Sequence, residues 1–150
     1  MMKKIGLFIL LICGFISCDK NCGKIESIEK TEVLEINDKL PGFYPLGNNK
    51  LSFLDLKKEQ TIIFFKKEID DIHTGYNEEI SNNIIWEKIK EKHIDFIVVS
   101  DLKVAKNYGV QIKNNKIKNN HLFIADKNKN IQKIYKNVCI NNIPKIITNL

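Results

Sequence analysis

The sequence predicts an α/β domain, a central mixed sheet flanked by helices, on three observations. Thr61-Ile62-Ile63-Phe64-Phe65 is a continuous apolar run of the kind buried on both faces of a sheet. Ile80, Ile84, Ile85, Trp86 and Ile89 then recur at helical spacing with lysine and glutamate between them, and Ile94 to Val99 forms a second apolar strand. Strand, helix and strand in that order make a parallel pair joined by a right-handed crossover.

Taken in order, Lys30 to Asn37 alternates apolar and polar residues (Val33, Leu34, Ile36) and predicts a strand. Pro41-Gly42, Pro45 and Gly47-Asn48-Asn49 are turn signals, and Leu51 to Leu56 is a short ordered stretch before a lysine-rich turn. The first core strand, a polar segment from Lys66 to Asn77 and the long helix follow, the helix ending near His93. After the second core strand, Asp101 to Tyr108 predicts a short helix with Asp101 or Ser100 as N-cap and Gly109 just past its end. Leu122 to Ala125 and Ile131 to Tyr135 flank a polar turn, Asp126 to Asn130, and predict an antiparallel hairpin. A last helix starts near Asn142, tolerates Pro144 in its first turn and presents Ile143, Ile146, Ile147 and Leu150 on one face. The order is β-α-β-α-β-β-α, without internal repeat.

The N-terminus carries a different signal. Lys3-Lys4, the apolar run from Ile5 to Ile16 and Ser17-Cys18 form a charged region, a hydrophobic region and a small residue before cysteine, which is a secretory signal of the lipoprotein kind. At about a dozen residues the run is too short to span a bilayer, which needs roughly 20. Ser17 lets a signal peptidase close on the backbone before Cys18, whereas Ile12 before Cys13 does not, and Phe15 replaces the more usual leucine. The expected organisation is a signal peptide over 1–17, a lipidated tether over 18–30 and one domain over 31–150. The domain would be held at a bacterial cell envelope, on the extracytoplasmic side, by acyl chains such as palmitate on Cys18.

Lys3 and Lys4 are the only charges before Cys18, so the part from Cys18 onward carries +4 of the chain's +6. All basic residues are lysine, spread along the chain and not gathered with aromatics, so no nucleic-acid partner is expected. Anionic headgroups beside the anchor are the better match to this mild excess. No phosphate-binding glycine loop and no Gly-x-Ser-x-Gly elbow is present, and no cofactor is expected. Cys13 leaves with the signal and Cys18 takes lipid, so Cys22 and Cys139 remain. In an oxidising compartment these two either pair across a long loop or stay unrelated thiols.

The element order, with Leu51 to Leu56, Thr61 to Phe65, Ala105-Lys106-Asn107-Tyr108-Gly109-Val110 and Phe123 to Asn128 in sequence, resembles the thioredoxin superfamily. Within it the likeness is to the peroxiredoxin (AhpC/TSA, redoxin) branch, over roughly Pro41 to Leu150. The resemblance implies a thioredoxin-like fold whose chemistry sits just after the Phe64-Phe65 strand, where a cysteine at a helix N-terminus becomes a reactive thiolate. This chain has no cysteine there: Thr74 stands at the expected peroxidatic position, and a Cys-x-x-Cys alignment puts Asp70 and His73 at the sulfur positions. A threonine hydroxyl neither ionises near neutral pH nor cycles through sulfenic acid. The arginine that peroxiredoxins place before the hairpin strand is replaced in that neighbourhood by Asn120, and the cis-proline position of thioredoxins falls in Asn120-His121-Leu122.

The leading expectation is therefore a membrane-anchored lipoprotein whose domain binds a peptide or protein partner in a cleft bounded by Phe65, Asp70 to Tyr76 and Asn120-His121. Its named binding residues are Asp70, Asp71, His73, Thr74, Asn120 and His121. The alternative is a thiol peroxidase or disulfide oxidoreductase using Cys139, with Cys22, since a resolving cysteine in this family can come from the C-terminal region. Asp70, Asp71, His73, His93 and His121 can also be grouped as metal donors, but their spacing is unspecific and no metal is expected.

Overall fold

The computed structural model describes residues 23–42, 57–67 and 75–150, with 75–82 described by backbone alone. Its main sheet holds β1 (Glu26–Ile28), β2 (Gln60–Phe65), β3 (Ile94–Val99), β6 (His121–Ala125) and β7 (Ile131–Lys136), in the order β1-β7-β6-β2-β3. Only β2 and β3 are parallel, as α1 (Gly75–Lys92) between them requires; every other pairing is antiparallel. α2 (Leu102–Asn107), a small hairpin of β4 (Ile112–Lys113) and β5 (Lys116–Ile117), a 3₁₀ turn (Ile140–Asn142) and α3 (Ile143–Thr148) complete the described elements.

The alternation of β2 and β6 divides the core in two. Ile63, Phe65, Phe123 and Ala125 face Val104, Ala105 and Tyr108 of the α2 segment, where the Phe65, Tyr108 and Phe123 rings meet at centroid distances of 5.0 to 5.6 Å. The Tyr108 hydroxyl donates to the Pro41 carbonyl at 2.9 Å, which satisfies a buried polar group and ties 23–42 to α2. Ile62, Phe64, Leu122 and Ile124 face the opposite way, against Ile85 and Ile89 of α1 and Ile143 and Ile147 of α3. β2 is therefore buried on both faces, as its unbroken apolar run predicts.

The predicted ends of the elements have local causes. Asp101 caps α2 by accepting from the Val104 N–H at 2.9 Å, and Gly109 follows with φ +68°. α1 ends at His93 with φ 52°. In the β6–β7 turn the Asp126 carboxylate accepts the Asn128 and Asn130 N–H groups, both at 2.9 Å. The Asn130 N–H is the main reason the Asp126 carboxyl titrates below the ordinary range.

Three expectations need correction. Lys30 to Asn37 is not a strand; it folds on itself with one bridge, Lys30 to Glu35, because the Thr31 hydroxyl accepts the Val33 and Leu34 N–H groups that a ladder would use. The outer strand is β1, inside the stretch read as tether, so the chain joins the sheet by Glu26. On α1, Ile85 and Ile89 are buried, but Ile84 and Trp86 stand 42% and 60% exposed. The β4–β5 hairpin was not anticipated, although Asn114 and Asn115 at φ 52° and 55° make the two-residue turn such a pair favours. Leu51 to Leu56 lies outside the described residues.

Candidate functional site

Strand register assembles one end of the sheet. Phe65 at the end of β2 pairs with His121 at the start of β6, and His121 pairs with Lys136 at the end of β7. Just before β6, the Asn120 side chain bridges the neighbouring strand ends: its Oδ1 accepts the Lys67 N–H at 2.5 Å and its Nδ2 donates to the Val138 carbonyl at 2.8 Å. The Asn120 carbonyl also accepts the Asn137 N–H at 2.9 Å. Both ends of the Asn120 amide are thus committed to the fold, and it acts as a brace.

His121 is 3% exposed, and its Nδ1 lies 2.9 Å from the Asn119 carbonyl. A carbonyl only accepts, so this contact puts the proton on Nδ1 and leaves Nε2 as an acceptor. Burial lowers the imidazole pKa, the Asn119 hydrogen bond partly offsets this, and the nearby Lys136 charge adds a smaller lowering. The ring is neutral at physiological pH.

His121 lines a cleft of about 710 Å³. Lys136 and Glu26 supply its sheet side, Thr31, Glu35 and Asp38 come from the folded 30–38 segment, and Gly109 and Gln111 close it from beyond α2. Among the lining residues Glu26, Glu32, Glu35 and Asp38 outnumber Lys30 and Lys136, so this is an acidic patch on a basic chain. Its wall depends on Gly109: a Cβ there would come within 2.5 Å of Thr31 Oγ1 and 2.8 Å of the Val33 nitrogen. Thr31 Oγ1 holds the same junction by donating to the Tyr108 carbonyl at 2.9 Å.

The predicted site residues separate. His121 lines the cleft; Asn120 stands beside it as the brace; Phe65 is fully buried in the aromatic core and is not among the residues lining this cleft. Asp70, Asp71, His73 and Thr74 lie outside the described residues, and Tyr76 is described by backbone only. His93 is exposed at the opposite end of β3 from this site. Among the described residues no group of three or more His, Cys, Asp or Glu is placed to hold a metal ion, and no helix is long and apolar enough to cross a membrane. Cys139, just after β7, is buried and disulfide-bonded. Cys13, Cys18 and Cys22 lie outside the described residues. Sequence reasoning missed Glu26, Thr31 and Lys136, of which Lys136 follows from extending the predicted hairpin register by one pair beyond Leu122 and Tyr135.

Comparison with known proteins separates sequence from fold. No protein-family model matches the chain, and no curated protein matches its sequence. Solved structures do match. Mycobacterium tuberculosis AhpC superposes with a TM-score of 0.61 at 11% identity, covering 78% of this chain and 98% of its own. Xylella fastidiosa PrxQ, as a cysteine-to-serine mutant, gives 0.59 at 13%, covering 77% and 94%. The reduced Plasmodium vivax 2-Cys peroxiredoxin gives 0.55 at 12%, covering 76% and 94%. The fold is thioredoxin-like, in its peroxiredoxin form. The sequence contains no arginine, and it holds no cysteine between Cys22 and Cys139.

Proposed function

We propose that this chain is an envelope lipoprotein, anchored through Cys18, whose thioredoxin-like domain binds a peptide or protein partner and does not reduce peroxide. The observation that carries this reading is the His121 cleft. A buried imidazole whose Nδ1 is hydrogen-bonded to the Asn119 carbonyl, leaving Nε2 as its acceptor nitrogen, and a rim with an excess of carboxylates suit N–H donors and cationic side chains of an extended segment. Peroxide reduction instead needs a low-pKa thiolate and a cation to stabilise it. Asn120 supplies no charge, and Cys139 is buried with its sulfur in a bridge. The alternative, a disulfide oxidoreductase working through Cys139, draws on that same bridge, because the oxidised form of such an enzyme also holds a disulfide.

Thiol trapping and intact mass on the reduced protein, before and after less than one equivalent of peroxide, separate the two. The binding reading expects Cys139 to react no faster than a free cysteine. Rapid conversion to a sulfenic acid or back to the bridge would establish the enzyme reading. Binding to a peptide array should then be lost in His121→Ala and kept in Lys127→Ala, which lies in the β6–β7 turn at the far end of the sheet.

A further inference from the structure

We infer that the His121 cleft recognises an extended segment carrying a lysine or arginine beside an apolar residue. His121 and Lys136 bind the main chain of that segment, and Glu26, Glu35 and Asp38 bind its basic side chain. The inference rests on the partner-binding reading above and names the chemistry of the partner.

The floor of the cleft is one row of the sheet. His121 on β6 registers with Lys136 on β7, and Lys136 registers with Glu26 on β1. Residues directly opposite one another share a face, with Cβ atoms about 4.5–5.5 Å apart, so the three side chains stand in a line along the cleft. At one end of the line is the imidazole, 3% exposed, with Nδ1 held by the Asn119 carbonyl. No described residue hydrogen-bonds Nε2, and no side-chain nitrogen or oxygen among the described residues is both enclosed and unpartnered. Nε2 therefore opens onto the space that His121 lines.

An uncharged acceptor beside a cationic donor is the complement of a peptide main chain. In an extended strand the N–H and C=O of one residue point to the same side, so Nε2 can accept while the Lys136 ammonium, on its flexible stem, donates. A cationic head does not belong at Nε2, because the Lys136 charge stands next to it. It belongs at the carboxylates. Glu26 and Glu35 are exposed, and Asp38 commits one oxygen to the Glu35 N–H at 2.9 Å, which leaves the other. None of the three makes an ion pair with a described residue. With Glu32 they set four carboxylates against Lys30 and Lys136, so the lining attracts a positive charge even after both lysines are counted. Val33, 57% exposed, and Ile28 line the same cleft and give an apolar side chain beside the basic one its contact.

The test measures binding of capped, fluorescent pentapeptides to the full-length protein. They alternate serine and valine around a central lysine, arginine, glutamate or norleucine, and a second series of the lysine peptide replaces one amide N–H at a time by an ester oxygen. Lysine and arginine should bind about fivefold tighter than norleucine, a margin that exposed ion pairs to two carboxylates supply, and glutamate should bind more weakly than norleucine. Glu26→Gln combined with Glu35→Gln should erase the margin and keep the norleucine affinity, and about 0.5 M salt should shrink it. One ester of the series should cost about fivefold in the parent protein, the usual effect of one hydrogen bond, and nothing in His121→Ala. If His121→Ala does not fold, the ester series on the parent still decides. Equal binding of the lysine and norleucine peptides, no ester that weakens binding, or free spermidine binding as tightly as the lysine peptide would overturn the inference and leave the partner-binding reading standing. Binding of none of the peptides would remove both.

Discussion

Replacing Asn120 with alanine removes one side chain and severs two strand ends from each other. The Lys67 N–H is exposed and regains water, so its lost bond costs about 0.5–1 kcal/mol. Val138 is fully buried, and stranding its carbonyl adds about 2 kcal/mol. The expected loss is about 3 kcal/mol, which lowers Tm by roughly 10 °C in a domain of this size. Urea denaturation of the bridged protein measures it directly, with Lys127→Ala as an exposed control expected within about 0.5 kcal/mol of the parent. Asn120→Asp sharpens the test, because it keeps the acceptor for Lys67 but turns a carboxylate toward the Val138 carbonyl, and it should be at least as destabilising. A loss below about 0.5 kcal/mol for Asn120→Ala, or a neutral Asn120→Asp, would refute the brace.

Three further outcomes follow from the same geometry. Gly109→Ala should cost about 3 kcal/mol by urea denaturation, since its Cβ meets the Val33 backbone nitrogen at a left-handed φ that alanine resists. The lowered pKa of buried His121 gives a signed pH effect. Below about 6.5 the unfolded chain takes up a proton that folded His121 refuses, so stability should fall with pH from there until the folded ring also charges, and His121→Gln should flatten that slope between pH 7.5 and 5.5. Reducing the disulfide at Cys139 should lower stability by about 2–4 kcal/mol, read as a shift in urea midpoint with and without reductant.

Much of the scaffold was legible because its signals are local. The doubly buried β2, the period of α1, the Asp101 cap, the Gly109 stop and the Asp126 to Asn130 turn each depend on residues within a few positions of one another. The misreadings have equally specific causes. Alternation at 30–37 satisfied the strand pattern, but a threonine hydroxyl took its N–H groups. β1 is three residues with no apolar run, and pairing with the edge of β7 specifies it. Periodicity placed Ile84, Ile85 and Trp86 on one helix, but it does not say which arc of that helix meets the sheet, and two of the three stay exposed.

The candidate site was legible only in part. Asn120 and His121 were singled out from their place before the hairpin strand, yet nothing local distinguishes a brace from a ligand-binding group. That distinction arises when Lys67, 53 positions away, and Val138, 18 positions away, take both ends of the Asn120 amide. The cleft likewise joins Glu26, Thr31, Gly109, His121 and Lys136. By itself the sequence determined the main elements, their order, the absence of any arginine and of any cysteine between Cys22 and Cys139, and the charged, apolar and cysteine pattern at the N-terminus, because each is read directly along the chain. Only the tertiary structure decided the cleft, the state of His121 and the role of Asn120, because burial and hydrogen-bond partners come from contacts between distant segments.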